Sequence, residues 1–345
     1  MKKSLGLNIC LSSTVNWNPG DEFIRYGVRN LLEKLIGNRH NYFIWNRNPD
    51  FFYKAWADDR VKENFLSNSC SRQDLSYMDL FVFAGTPEWF GNPTAPLYKE
   101  IERRHVPSLF LGLGAGRDPK HLNKTEKKVL NADTSFVSNR SNTLAEELNQ
   151  EDVKGVHTLP CPAVLCVKGT EYAPRQKTGK IGFLLQTTEV SCQNSKISFA
   201  QEFFNLLPNP NYELLASYIA ETRVAAQKSI KARFSFEPQD YFAIYQDYDF
   251  LITTRLHGAL SALSAGIPAI LVTEPTNERV QTAAVLYKEV LPVADSVGGA
   301  LEILKAYQSD AVYEAHRRKI FDFKSSVEKC YISLLEDFFR KTFDY

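Results

Sequence analysis

The sequence predicts an α/β fold of two Rossmann-like domains facing a cleft, and three observations predict it. Short apolar runs alternate with amphipathic ones through both halves, the pattern of βαβ units on parallel sheets. At 345 residues the chain suits two ordinary domains better than one. Between the halves, "VKGTEYAPRQKTGK" (Val167–Lys180) carries charge, glycine and proline with almost no apolar periodicity, so it reads as a linker. The expected division is an N-terminal domain over 1–167, a linker over 168–180, a C-terminal domain over 181–310 and a closing helix over 311–345.

In the first half the candidate strands are Leu5–Leu11, Tyr42–Trp45, Leu80–Phe83, Ser108–Leu113, Ser135–Ser138 and His157–Leu159. Helical patterns lie between several of them. The clearest begins at Asp21, where Ile24, Val28, Leu31, Leu32 and Leu35 share one face. Asp21 is placed to cap its first turn, and Glu22 to favour its positive end. The second series runs from strand Ile181–Leu185 through a helix near Phe199–Leu207, strand Tyr212–Ser217 and a helix from about Gln239. Strand Phe250–Thr253, the "RLHG" segment and strand Ala269–Val272 follow. The tail Ala311–Phe343 reads as an amphipathic helix packing across the two domains, with oligomer contact as its alternative use.

Composition narrows the function classes. A formal net charge of +1 gives no global pull on nucleic acid or anionic membranes, so any charged ligand must be held locally. The six cysteines (Cys10, Cys70, Cys161, Cys166, Cys192 and Cys330) form no C-x-x-C pair and no zinc spacing. A reduced, cytoplasmic protein is the expectation. "MKKSLGLNICLSS" is too short and too polar for a signal peptide's apolar core and reads as the first strand. No stretch approaches the roughly 18 consecutive apolar residues of a membrane span, which leaves peripheral membrane contact at most. His40, His105, His121, His157 and His316 are isolated, so no metal is expected.

The chemistry concentrates in "DYDFLITTRLHGALSALSAGIPAILV" (Asp247–Val272): strand, tight turn, short Ala/Ser-rich helix, Gly-Ile-Pro turn, strand. Arg255 and His257 fall just past a strand's carboxyl end at a helix N-terminus, where peptide N–H groups point outwards. That is an anion site with a titratable group beside it; the plainer alternative is a capping or packed histidine next to a surface arginine. Gly258 permits close approach of a ligand or of a neighbouring backbone. Ala259, Ser261, Ala262, Ser264 and Ala265 let the helix lie close to the sheet.

This Arg-x-His-Gly element, with its flanks, resembles the most distinctive motif of the polysaccharide pyruvyltransferase family. "NWNPGDEFIRYGVRNLLEKL" (Asn16–Leu35) is similar to the family's segment after the first strand, and "SFVSNRSNTLAEEL" places Arg140 at the arginine that ends a strand there. The resemblance runs from about Leu5 to Leu286. It implies a glycosyltransferase-B-like fold and transfer of pyruvate from phosphoenolpyruvate, the donor substrate, to a sugar, usually as a cyclic ketal. No cofactor is expected. The donor's phosphate and carboxylate call for cationic contacts, for which Arg255, Arg140 and Gly258 are the candidates. Protonating the enol methylene calls for a general acid, and His257 is the candidate. Anionic donor groups favour its charged form, whereas the helix N-terminus opposes it. Asp21 is the candidate acceptor-side base, in competition with its capping role.

Glu88 and Trp89, in "FAGTPEWFGN" (Phe83–Asn92), pair an aromatic ring with a carboxylate as acceptor-binding candidates. A packed loop is the alternative. The family more often shows a glycine-richer loop here, and Cys161 stands where it usually has an aspartate. "FLGLGAGRDP" (Phe110–Pro119) is a strand and glycine turn able to approach a phosphate. The expected partners are phosphoenolpyruvate and a sugar acceptor, lipid-linked or nucleotide-linked. Two other readings share the architecture: a nucleotide-sugar glycosyltransferase, and a family member that binds glycan or anion without turnover.

Overall fold

The structure, a computed structural model, describes residues 6–15, 18–47, 74–85, 94–114, 122–185, 202–203, 206, 209–275 and 277–343. It divides into two compact units. The first holds 1–162 and 328–345, and the second holds 163–327.

In the first unit six parallel strands form one sheet: β1 (Asn8–Ser13), β2 (Asn41–Asn46), β3 (Leu80–Ala84), β4 (Ser108–Leu113), β5 (Ser135–Asn139) and β6 (Val156–Thr158). Their spatial order is β2-β1-β3-β4-β5-β6, so the winding reverses between β1 and β3. Helices α1 (Pro19–Ile36), α2 (Ala95–Arg104), α3 (Lys124–Leu130) and α4 (Asn142–Gln150) connect the strands. The expected face of α1 is buried: Ile24, Val28, Leu31, Leu32 and Leu35 are all at most 1% exposed. On the sheet, Phe83 and Phe110 stack with centroids 4.4 Å apart, and Leu97, Tyr98 and Ile101 of α2 join the same core.

The second unit repeats the architecture with β7 (Ile181–Leu184), β8 (Tyr212–Leu215), β9 (Ala232–Arg233), β10 (Phe250–Thr253), β11 (Ala269–Val272) and β12 (Val293–Ala294). All pair in parallel, in the order β12-β11-β10-β7-β8-β9, and the winding reverses between β7 and β10. Its helices are α5 (Ile219–Gln227), α6 (Asp240–Ile244), α7 (Leu256–Ser264), α8 (Glu278–Ala284) and α9 (Val297–Lys305). Phe183, Phe203, Leu214, Ile252, Ile270 and Val272 build its core with Val297 and Ala300. Of the helix expected near Phe199–Leu207, the described residues Glu202, Phe203 and Leu206 are helical.

Two expectations change. The segment read as a linker is bound along the second unit. The Thr178 and Gly179 N–H groups each donate to the Asp249 carboxylate at 2.7 Å, and Lys177 Nζ donates to the Gln308 carbonyl at 2.7 Å. The division falls between Pro162 and Ala163, and 168–180 belongs to the second unit, where its polar residues find partners. The last helix, α10 (Asp310–Phe343), belongs to the second unit as far as Val327 and to the first from Glu328 onward. Within the second unit it buries Tyr313 and Ile320, and within the first Tyr331, Leu335, Phe338 and Phe339.

In doubly wound sheets ligands bind beyond the carboxyl ends of the strands where the winding reverses. That rule singles out the β1/β3 edge of the first unit and the β7/β10 edge of the second.

Candidate functional site

At the second unit's reversal point Arg255 follows β10 and is the N-cap residue of α7, with extended backbone and no capping bond from its own side chain. Thr253 pins this turn: its hydroxyl donates to the Leu184 carbonyl of β7 at 2.9 Å and accepts the Arg255 N–H at 3.0 Å. The Arg255 guanidinium pairs with Glu221 of α5. It also lies over the Tyr218 ring, 4.8 Å from its centroid. Glu221 is buried, and its second oxygen accepts the N–H groups of Ser217 at 2.7 Å and Tyr218 at 3.3 Å. His257 is the second residue of α7 and is half-buried.

The rest of α7 is held from below. Ser261 Oγ donates to the Gly258 carbonyl at 3.0 Å and shares a hydrogen bond with Tyr245 Oη at 3.1 Å. At the far end Lys324 Nζ donates to the Ser264 carbonyl at 2.7 Å and Arg317 Nε to the Gly266 carbonyl at 3.1 Å. Both side chains are buried, so two cations complement the negative end of a helix whose positive end carries Arg255 and His257. Tyr241, whose hydroxyl donates to the Ala216 carbonyl beside this site, has its pKa pushed up to about 12, chiefly by burial, and stays a donor at neutral pH.

Gly258 has a packing reason. A Cβ there would stand 2.3 Å from Leu184 Cδ2, so the space the sequence left open to a ligand or a backbone is filled by a β7 side chain. Gly258→Ala is therefore expected to destabilise the protein: overpacking costs about 1–3 kcal/mol and exceeds the ~1 kcal/mol that alanine gains as a helix former. A thermal midpoint equal to or above wild type would contradict this.

At the first unit's reversal point Asp21 is not the helix cap. Pro19 opens α1, and Asn18 caps it by accepting the Gly20 N–H at 3.0 Å. Proline suits the first turn because its φ is preset and no N–H is lost. The "NP" pair carried that signal. Asp21 instead accepts from Thr14 Oγ1 at 3.0 Å and lies 3.7 Å from an Arg47 nitrogen, with Gly85 (φ +84°) closing in after β3. Arg47, buried at the end of β2, also donates to the Ala84 carbonyl at 3.4 Å. Glu22 pairs with Arg25 one turn along α1 at 2.6 Å and is buried.

Arg140 follows β5, three strands from β1, so roughly 14 Å of sheet separates it from Asp21 at ~4.8 Å per strand. Its buried guanidinium lies across Gly114, where a Cβ would stand 2.3 Å from one of its nitrogens, and donates to the Cys161 thiol at 3.8 Å. Glu88 and Trp89, and residues 115–119 of the second glycine turn, lie outside the described residues.

Sequence reasoning missed Glu221, Tyr218 and Arg47. Each follows the end of a strand, but Tyr218 is not the Ser, Thr, Asp or Asn of a capping box, so the Glu221 three residues after it left no capping signal in the sequence. The other described histidines are structural: His40 bridges the Leu7 N–H and the Ile36 carbonyl, and His105 ends α2 in the left-handed conformation. His157 stacks on Phe136, and burial lowers its pKa. His316 packs on Tyr307 and is pushed down to about 4, chiefly by burial. Among the described residues no three His, Cys, Asp or Glu side chains converge, and no helix is long and apolar enough to cross a membrane.

Asp21 admits a direct test. Asp21→Asn keeps an acceptor for Thr14 but removes the charge facing Arg47. If Asp21 serves as an acceptor-side base, turnover falls about 10²–10⁴-fold with donor binding unchanged. Unchanged turnover in the folded variant would exclude a charge-dependent role.

Comparison with known proteins gives the fold and the family. The fold is similar to the S. aureus MnaA–UDP co-structure, at TM-score 0.54 and 13% identity, covering 90% of this chain and 91% of that one. It is similar also to a putative UDP-N-acetylglucosamine 2-epimerase from Listeria monocytogenes, at TM-score 0.55 and 10% identity, covering 91% of each chain. A further UDP-N-acetylglucosamine 2-epimerase matches at TM-score 0.55 and 12% identity over 95% of both chains. At these identities the likeness establishes the fold, which is glycosyltransferase-B-like. No curated protein sequence matches the chain. The family model described as polysaccharide pyruvyl transferase matches residues 18–274, from the Asn18 cap past the Arg-x-His-Gly turn, and the chain belongs to that family.

Proposed function

We propose that the protein transfers the pyruvyl group of phosphoenolpyruvate to a sugar of a cell-surface polysaccharide or its precursor, forming a pyruvate ketal. The observation that carries this reading is that Arg255 and His257 both stand at the start of the helix after β10, beyond its carboxyl end and within the span the family model matches. An arginine fork suits the donor's phosphate or carboxylate, and an imidazole in the same turn suits proton transfer at neutral pH.

The chemistry sets the roles. A proton is added to the enol methylene, giving a methyl group and an oxocarbenium-like centre that one sugar hydroxyl attacks. Phosphate then leaves by C–O cleavage, and the second hydroxyl closes the ketal. Two hydroxyl protons are released: one replaces the proton placed on carbon, and the other leaves with hydrogen phosphate. His257 supplies the carbon proton and is recharged from a hydroxyl. Arg255 binds the donor's anionic groups. Asp21 remains the candidate base for the acceptor hydroxyl, and Arg140 a candidate for binding the donor. Glu88 and Trp89 remain the candidates for sugar binding.

Thermal unfolding of the purified protein with phosphoenolpyruvate, and separately with UDP-N-acetylglucosamine, tests the reading. A ligand that binds only the folded state raises stability by mass action, by about 2.7 kcal/mol at a hundred times its Kd. Stabilisation by phosphoenolpyruvate is expected. Stabilisation by the nucleotide sugar alone would replace this reading with a nucleotide-sugar transferase.

A further inference from the structure

We propose that Glu221 is the positioning residue for Arg255, a buried carboxylate that holds the guanidinium in place for the anionic donor. The proposal rests on the pyruvyl-transfer reading above and goes beyond it by naming what orients the donor-binding arginine.

The geometry starts from the sheet. Glu221 lies in α5 after β8, and Arg255 follows β10, with β7 between them. Two strand spacings of ~4.8 Å put about 10 Å between those strands. The arginine and glutamate side chains, reaching toward each other, together cross that gap. The Glu221 side chain is 1% exposed and the Arg255 side chain 18% exposed, so the fixed partner is the carboxylate. One Glu221 oxygen is committed to the backbone at the start of α5 through the Ser217 and Tyr218 N–H groups. The other meets Arg255 Nη2. Tyr218 covers a face of the same guanidinium.

One edge and one face of the fork are therefore fixed before any ligand arrives. Long side chains lose rotamer freedom on binding, and an arginine already held does not lose it again. A mobile counterion would be displaced by the donor. Glu221 differs because its backbone bonds hold it whether or not Arg255 is present.

The two oxygens do separate work, and an amide cannot do both. A glutamine turned either way presents its NH₂ to the backbone N–H groups or to the guanidinium, donor against donor. Glu221→Gln is thus expected to raise the KM and Kd for phosphoenolpyruvate about tenfold with kcat at saturating donor unchanged. In an Arg255→Lys background the same change is expected to add less than twofold, because the planar fork that Glu221 orients is gone. Glu221→Asp, too short to serve both partners, is expected to give the same loss, so the test does not depend on a folded amide variant.

Unchanged donor affinity in a folded Glu221→Gln variant with a lowered thermal midpoint would reduce Glu221 to a cap of α5 and overturn the proposal. Tighter donor binding would do the same by making Glu221 a competitor of the donor. Equal tenfold losses in both backgrounds would show that it does not act through Arg255. If wild type itself fails to bind phosphoenolpyruvate, the functional reading falls and this role with it. Binding by wild type with no effect at Glu221 leaves the functional reading standing and removes only the positioning role.

Discussion

Arg255→Lys is expected to lose most of the stabilisation that phosphoenolpyruvate gives the wild-type protein while remaining folded. Lysine keeps one positive charge near the Glu221 carboxylate but has no planar fork with which to hold a phosphate or a carboxylate. Hydrogen bonds to charged groups contribute about 1.5–3 kcal/mol each. Losing one therefore weakens the donor's Kd by roughly ten- to a hundredfold. Arg255→Ala should weaken it at least as much, but it carries a second effect. It leaves the Glu221 carboxylate, 1% exposed, with only the Ser217 and Tyr218 N–H groups as described partners. Removing one member of a buried pair costs about 3–5 kcal/mol. The lower part of that range is expected, since the Arg255 side chain is 18% exposed and the two N–H donors persist. Lysine is accordingly the more informative variant. Donor affinity in Arg255→Lys equal to that of wild type, measured by calorimetry, would remove Arg255 from the donor site.

His257→Ala is expected to lower kcat by about 10²–10⁴, the usual contribution of a positioned general acid, with a much smaller change in donor Kd. The separation of the two constants carries the weight here. Uniform binding lost at a residue raises KM and spares kcat, whereas loss of a proton donor lowers kcat and kcat/KM together. His257 sits in the first turn of α7, where loss of its side chain leaves Thr253 pinning Arg255 and Ser261 bonding the Gly258 carbonyl. A structural collapse is therefore not expected, and a circular dichroism melt checks it. Unchanged turnover in His257→Ala would sink its assignment as the acid. A raised donor Kd with kcat intact would make it a binding residue instead.

Much of this molecule was legible in its residues. The apolar runs placed ten of the twelve strands among the described residues within a few residues of where they lie, because a strand buried on both faces is a near-continuous hydrophobic run. The two that were missed, β9 (Ala232–Arg233) and β12 (Val293–Ala294), are two-residue edge strands, too short to leave any periodicity. Helices α5, α8 and α9 were missed as well, each nine residues or fewer, and α2 and α3 were read only as helical patterns between strands. The Arg-x-His-Gly element told its own location, because a strand, a turn and a small-residue helix are all local features. What lies beside it was not local. Glu221 is 34 residues from Arg255 and Arg47 is 26 from Asp21, and only the order of strands in each sheet brings them together. The same holds for Gly258, whose reason is Leu184 of another strand. The capping role of Asp21 fell to Asn18 for a local reason that the "NP" pair already carried. The sequence by itself determined the strands, the helix faces and the arginine–histidine turn, since these follow from spacing along the chain. Tertiary structure alone decided which carboxylate meets which guanidinium, because that depends on strand order, which no stretch of sequence encodes on its own.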